Sequence, residues 1–308
     1  MLAEAAIVKV SNPLPIINLV LDGLTSENSK RAYGKALGDF MSWYQREPTT
    51  GLTKATVQQY KTILQNSGAA PSTVNLRLSA IRKLAQEAAD NGLVDQSMAS
   101  SISRVKGVKS QGVRSGNWLT REQAQDLLDI PDCKNIKGLR DRAILAVFLG
   151  AGLRRSEVSK LSFDHIQQRE GRWVFVDLIG KGNRVRTIPI PSWVKSAIDE
   201  WLTEAGISAP GFIFRPIHKG RFINGSGMTS QAIQDVVKLY SRRLEFVLSA
   251  HDLRRTFAKL AHKGGSGLDQ IQLSLGHASI KTTERYLGIT QDLTDAPCDH
   301  LGLRINGF

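Results

Sequence analysis

The sequence predicts a mainly α-helical protein of two domains, the second carrying a small antiparallel β-sheet. Three observations predict it. Apolar residues recur at helical spacing through most of the 308 residues. One pair of Val- and Ile-rich segments flanks a glycine turn, which signals a single hairpin. The chain exceeds the roughly 100–200 residues of one domain, and a basic, glycine-containing stretch without acids breaks the helical pattern after residue 105.

In chain order, residues 1–24 read as a loosely structured lead-in with two prolines. From Thr25 to residue 105 the pattern is helical. Tyr33, Leu37, Phe40, Met41 and Tyr44 make one apolar stripe, ended by Pro48 and Gly51. Val57, Tyr60, Ile63 and Leu64 make a second. Pro71-Ser72 opens a longer helix with Ser72 as N-cap, its apolar set being Val74, Leu76, Leu78, Ile81, Leu84, Ala85 and Ala88. Residues 106–117 hold Lys106, Lys109 and Arg114 and read as a flexible basic linker.

The second domain spans 118–290. Thr120 caps a helix, with Gln123 completing the box. Helices follow near 121–129, 137–150 and 154–162. Arg172–Ile179 and Arg184–Ile190 are the strands around Gly180-Lys-Gly-Asn183. Pro191-Ser192 begins a helix that turns Val194, Ile198, Trp201 and Leu202 inward. Phe212–Phe214 suggests a short strand, and His218–Gly227 a basic, glycine-rich loop holding Lys219 and Arg221. Four helices are expected near 230–246, 251–263, 268–275 and 280–287, and residues 291–308 form a tail.

Composition narrows the function. Hydrophobic residues make up 41% and charged residues 22%, a globular balance. Forty-one Lys plus Arg against twenty-eight Asp plus Glu give a net charge of +13, which suits a polyanion, nucleic acid first. The longest apolar stretch, Pro13 to Leu21, is too short to cross a bilayer, and Glu4 with no basic n-region argues against a secretory signal. Cys133 and Cys298 are the only cysteines, so neither a disulfide framework nor a zinc knuckle is expected; a reducing cytoplasm fits, close to the nucleoid if DNA is the partner. Cys298 and His300 lack the further ligands a metal needs. No Gly-x-x-x-x-Gly-Lys-Ser/Thr loop is present, and no cofactor is expected.

Four segments hold residues suited to chemistry, each with a plainer reading beside it. Arg154 and Glu157, in Gly152-Leu-Arg-Arg-Ser-Glu157, share a helix face: a carboxylate-oriented arginine for a phosphate, or a surface ion pair. Lys181 sits at the hairpin tip and either swings into a substrate or stays a solvated turn lysine. His251 and Arg254 lie at i and i+3 at a helix start, two donors for one phosphate or a packed histidine beside an exposed arginine. Gly276-His277 ends one helix and the next carries Tyr286; capping and core packing explain these equally.

Taken in order, Arg154, Lys181, His251-x-x-Arg254, Gly276-His277 and Tyr286 resemble the tyrosine recombinase, or phage integrase, family across nearly the whole chain. The resemblance implies a helical core-binding, SAM-like domain over 25–105 and a mixed α/β catalytic domain over 118–290. It implies a site-specific recombinase that cleaves and rejoins DNA through a 3′-phosphotyrosyl link, exchanging strands between two short core sites through a Holliday junction. Tyr286 would be the nucleophile. Arg154 and Arg254 would clamp the non-bridging oxygens, Lys181 would protonate the leaving 5′ oxygen, His251 would assist proton transfer, His277 would donate to the phosphate and Glu157 would fix Arg154. A cationic setting would help a tyrosine whose ordinary pKa is about 10. Arg155 and Arg255, beside the motif arginines, are set aside.

Lys106, Lys109, Arg114, Arg184, Arg186, Lys219 and Arg221 are expected on the DNA backbone. The resemblance also implies a tetramer on paired sites, joined through the tail, and with only the lead-in ahead of the helical unit no arm-binding domain is expected. Two alternatives stay open: a type IB topoisomerase-like relaxer, and a non-catalytic DNA-binding relative.

Overall fold

The computed structural model describes residues 14–47, 51–109, 117–180, 184–244 and 247–288. The chain divides into two compact units, Met1–Val113 and Arg114–Phe308.

Unit 1 is all helical: α1 (Leu14–Asp22), α2 (Glu27–Tyr44), α3 (Lys54–Asn66), α4 (Pro71–Asp90) and α5 (Gln96–Ser103). Its core gathers Leu37, Phe40, Val57, Tyr60, Leu78 and Ile81, all buried. Thr53 caps α3 by accepting the Thr56 N–H at 3.2 Å. Three details differ from expectation. The lead-in is a helix over Leu14–Asp22, with Ile16, Ile17 and Val20 in the core; Pro15 is tolerated because a first-turn residue needs no N–H. The N-cap of α4 is Ala70, with Pro71 at the first helical position and Ser72 inside the helix. Ile63 and Leu76, counted among the apolar stripes, are exposed. Pro48 lies outside the described residues.

Unit 2 packs eight helices of its described residues beside one sheet. They are α6 (Arg121–Asp129), α7 (Ile136–Ala151), α8 (Arg155–Val158), α9 (Ser192–Glu204), α10 (Ser230–Ser241), α11 (Ala250–Lys263), α12 (Leu268–Leu275) and α13 (Ile280–Leu287). The sheet orders β1 (Ile166–Arg169), β2 (Arg172–Ile179) and β3 (Val185–Pro189) as antiparallel neighbours. Helix α7 is buried on nearly every side, so its polar Arg140 and Asp141 must pair with each other, and the Tyr240 hydroxyl donates to Asp141 at 3.1 Å. The Thr120–Gln123 capping box starts α6 as expected. The helix expected near 154–162 shrinks to the single turn α8, because the chain bends at Ser159-Lys160 into a 3-10 turn at Phe163–His165. Residues 212–214 make one isolated bridge, Phe212 to Ser162, rather than a strand.

The pairing of β2 with β3 contains a register shift. Phe175 faces Ile188, yet Leu178 faces Arg186, and Asp177 takes a left-handed φ of 53° between them. This bulge brings Leu178, rather than Asp177, opposite Arg186.

Candidate active site

The site assembles in unit 2 from the ends of α7 and α12, the starts of α8 and α11, strand β3 and helix α13. Helix α7 stops at Gly152, whose φ of 59° is left-handed and whose added Cβ would lie 2.4 Å from the Phe257 ring. Only glycine fits there. The chain then extends at Arg154 before α8 begins. Glu157, buried in α8, accepts the Arg154 backbone N–H at 2.7 Å and its Nη1 at 2.8 Å. That much matches the expected support of Arg154.

Glu157 also holds a second arginine. Arg186 Nη1 and Nη2 donate to its two carboxylate oxygens at 2.9 and 2.8 Å, and Nε donates to the Ser274 carbonyl at 2.9 Å. Its side chain is only 8% exposed. Arg186 is therefore not a backbone-contacting surface residue, as expected from its strand; it shares the inward face of β3 with buried Ile188, and the bulge in β2 brings buried Leu178 opposite it. Burial pushes the Glu157 carboxyl up, but the Arg186 bonds, the Arg154 N–H and both charges outweigh it and hold the group below the usual carboxylate range.

Helix α11 starts with a full capping box, in which Asp252 N–H donates to Ser249 Oγ and Ser249 N–H donates to Asp252 Oδ2. This sets His251 and Arg254 one turn apart. The Arg254 side chain is buried and donates to the Gly152 carbonyl at 2.6 Å and to the Leu275 carbonyl. Arg154 Nη2 shares Leu275 O at 3.3 Å. Two arginines are thus braced on the exposed carbonyl at the end of α12, next to Gly276 with its left-handed φ of 60°. Burial, then the Arg154 charge, pull Arg254 down to about 9, still well above neutrality, so the guanidinium stays charged.

His277 follows Gly276. Its Nδ1 pairs with the buried Thr283 hydroxyl at 3.0 Å, which leaves Nε2 for another partner. Burial, then Arg254 and Arg154, push His277 down to about 4. His251 is lowered by burial and then by Arg255 and Arg254. Both imidazoles are neutral near pH 7.

Tyr286 on α13 stands between them. Its ring meets His251 edge-on at 5.2 Å and His277 at 5.3 Å between centroids, and the Arg255 guanidinium lies 5.0 Å over its face. The hydroxyl donates to the His251 carbonyl at 3.1 Å. Burial raises the phenol above its ordinary pKa, and the charges of Arg254, Arg255 and Arg154 only partly offset this. The cationic setting alone thus leaves the phenol protonated. Sequence reasoning set Arg255 aside and did not single out Thr283; neither a cation over a ring nor a threonine behind a histidine has a spacing signature.

A recess of about 360 Å³ opens beside the cluster, lined by Arg154, Arg155, Ser156, Gln234, Ser249, Ala250, His251 and Arg254, with no acid among them. Tyr44, Tyr60 and Tyr240 are buried, and burial raises all three. Among the described residues no group of three or more His, Cys, Asp or Glu is arranged for a metal, and no helix is long and apolar enough to cross a membrane.

Of the remaining expected residues, Lys106, Lys109, Arg184 and Lys219 are exposed. The backbone of Arg221 lies in a short 3-10 turn, Lys219–Arg221. Lys181, Arg114, Cys298, His300 and the tail 291–308 lie outside the described residues.

Comparisons with known proteins agree with this geometry. The phage integrase family model matches residues 117–292, and the phage integrase N-terminal SAM-like domain matches residues 17–92. The tyrosine recombinase XerC of Haemophilus influenzae is 31% identical over 252 residues, 80% of this chain and 79% of the relative. The tyrosine recombinase XerD of Listeria innocua is 26% identical over 284 residues, 89% of this chain and 92% of the relative. In fold, the chain is similar to a lambda integrase dimer bound to a COC′ core site, with a TM-score of 0.67 at 14% identity, covering 89% of this chain and 75% of that one.

Proposed function

Because the chain belongs to the phage integrase family and is a tyrosine recombinase, we propose that Tyr286 is its nucleophile and double-stranded DNA its substrate. The observation that carries this is the setting of the Tyr286 hydroxyl, beside neutral His251 and His277 and next to the braced Arg154–Arg254 pair. Phosphoryl transfer needs positioning and charge compensation, and preorganised arginines provide both.

In the proposed step the Tyr286 oxygen attacks the scissile phosphorus while the bond to the 5′ oxygen breaks. The phenol proton leaves toward His251, since the phenol starts protonated and a neutral imidazole can take it. Arg154 and Arg254 bind the two non-bridging oxygens, with donors left over after their carbonyl and carboxylate bonds. His277 donates from Nε2, and Lys181 protonates the leaving 5′ oxygen. One phosphodiester is exchanged for one phosphotyrosyl ester, so a 5′ hydroxyl from a second duplex can reverse the step and exchange strands. Two short core sites, a Holliday junction and a tetramer joined through residues 291–308 complete the proposal. So does the domain assignment: core-binding over 25–105 with α1 added to its core, linker over 106–117, catalysis over 118–290. Lys106, Lys109, Arg114, Arg184, Lys219 and Arg221 are proposed phosphate contacts.

The test is covalent capture. A duplex selected from a random library by the intact chain is nicked next to the mapped cleavage position and incubated with protein. Wild type should form an adduct that survives denaturing electrophoresis. Tyr286→Phe should bind with similar affinity and form none. An adduct surviving in Tyr286→Phe removes Tyr286 from the role. Lys181→Ala should slow cleavage, with recovery on a 5′-thio leaving group; absence of recovery removes the general-acid role.

A further inference from the structure

Arg155 is an arginine of the recess that the proposed chemistry leaves unused. Arg154, Arg186 and Arg254 are each held by carboxylate or carbonyl oxygens. Arg155, the first residue of α8, is exposed, and its guanidinium has no hydrogen-bond or ion-pair partner among the described residues. Ser156 beside it is exposed as well. Both line the recess together with Arg154, His251 and Arg254. Tyr286 and His277 do not, so the recess continues from the arginine pair beyond the phenol's surroundings.

The recess is larger than one phosphate needs. At about 30 Å³ for each water-sized group, five heavy atoms leave much of its 360 Å³ unfilled. One phosphodiester also has only two non-bridging oxygens, and Arg154 with Arg254 supplies a donor for each. The back of the recess is built: Gln234, buried on α10, accepts the Ala250 N–H at 3.0 Å and ties that helix to the start of α11. With Arg154, Arg155, Arg254 and Ser156 among its lining and no acid, the remaining space suits a second anion. A DNA strand presents its next phosphate one nucleotide away.

We propose that Arg155, with the Ser156 hydroxyl, seats the phosphodiester adjacent to the scissile one on the cleaved strand. The inference rests on the nucleophile assignment to Tyr286. Its function is register: a strand held at two successive phosphates presents one phosphorus, and not its neighbour, to the phenol.

The experiment is a double-mutant cycle between protein and DNA. The selected duplex is compared with versions carrying one neutral methylphosphonate at the scissile phosphate or at either neighbour. Binding and adduct formation are measured for wild type, Arg155→Ala and Arg155→Lys. Wild type should lose about tenfold in affinity at one flanking methylphosphonate, the range of an exposed charge-assisted contact. Arg155→Ala should lose about as much on natural DNA, lose nothing further at that position, and show a salt slope smaller by about one. Arg155→Lys should keep the slope but recover affinity only in part. Losses that multiply at both flanking positions, or coupling at the scissile phosphate alone, overturn the proposal. If no adduct forms on natural DNA, the Tyr286 reading fails; if the adduct forms and neither flanking position couples, only the Arg155 seat fails.

Discussion

His277 shows how far one side chain's charge is set by its surroundings. An imidazole ordinarily titrates near 6.5, and burial with the Arg254 and Arg154 charges holds this one at about 4. Between those values the unfolded chain binds a proton that the folded chain refuses. The resulting stability is complete above about pH 6.5 and is lost as pH falls toward 4. Thermal unfolding measured across that interval should show a steeper acid loss for wild type than for His277→Asn, which cannot titrate. Equal slopes would mean that the histidine is not held neutral. The proposed catalytic residues outside the hairpin tip were legible in the sequence because their identity and order carry the information. Arg186 was not: alternation puts it on the buried Ile188 face of β3, but its partner Glu157 lies 29 residues away and no spacing signature joins the two. One carboxylate therefore positions two arginines. Removing it leaves the buried Arg186 and the half-buried Arg154 without their carboxylate, and Glu157→Ala should lower stability by about 3 kcal/mol in denaturant titrations, with loss of cleavage.

At the scale of elements, the site depends on where helices stop. Gly152 ends α7 and exposes the carbonyl that Arg254 grips; Gly276 ends α12 and exposes the one shared by Arg254 and Arg154. Gly152→Ala forces a Cβ into Phe257 at a left-handed φ. The two penalties together come to about 2–5 kcal/mol, and chemical denaturation should register them. The start of α11 matters in the same way. Ser249→Ala removes a cap worth about 1 kcal/mol and loosens the turn carrying His251 and Arg254, so its cleavage rate should fall more than its melting temperature suggests. Long amphipathic helices such as α2, α4 and α9 were legible from periodicity. Elements without a stripe were not. Helix α5 buries only Ala99 and Ile102, β1 is Ile-Gln-Gln-Arg, and α8, expected as a longer helix, is a single turn that ends where the chain bends at Ser159-Lys160. Helix α1 was missed for the opposite reason, since Pro15 reads as a breaker although it falls in the first turn of the helix.

Among the described residues each unit has its own main core, one built from Leu37, Phe40, Tyr60 and Ile81 and the other from Phe148, Phe175, Trp201 and Phe214, and unit 2 adds a small cluster of Ala258, Ile271, Leu275 and Leu287. A unit that encloses its own core has its own unfolding free energy, so stability here is two quantities. The first unit extends its grip beyond its last helix. Asn75 Nδ2 donates to the Val108 carbonyl at 2.9 Å, and the Val108 N–H donates back to Oδ1 at 2.8 Å. The amide thus pairs with a backbone peptide and pins the chain leaving unit 1 against α4, so that the expected basic linker is anchored at its beginning. In calorimetry without DNA, the van't Hoff enthalpy should fall below the calorimetric one, the signature of more than one cooperative unit. Asn75→Ala should shift the transition of unit 1 and leave that of unit 2 in place, because the lost bonds lie wholly within the first. A single transition obeying the two-state relation, or an equal shift of both, would show the two cores to melt as one body.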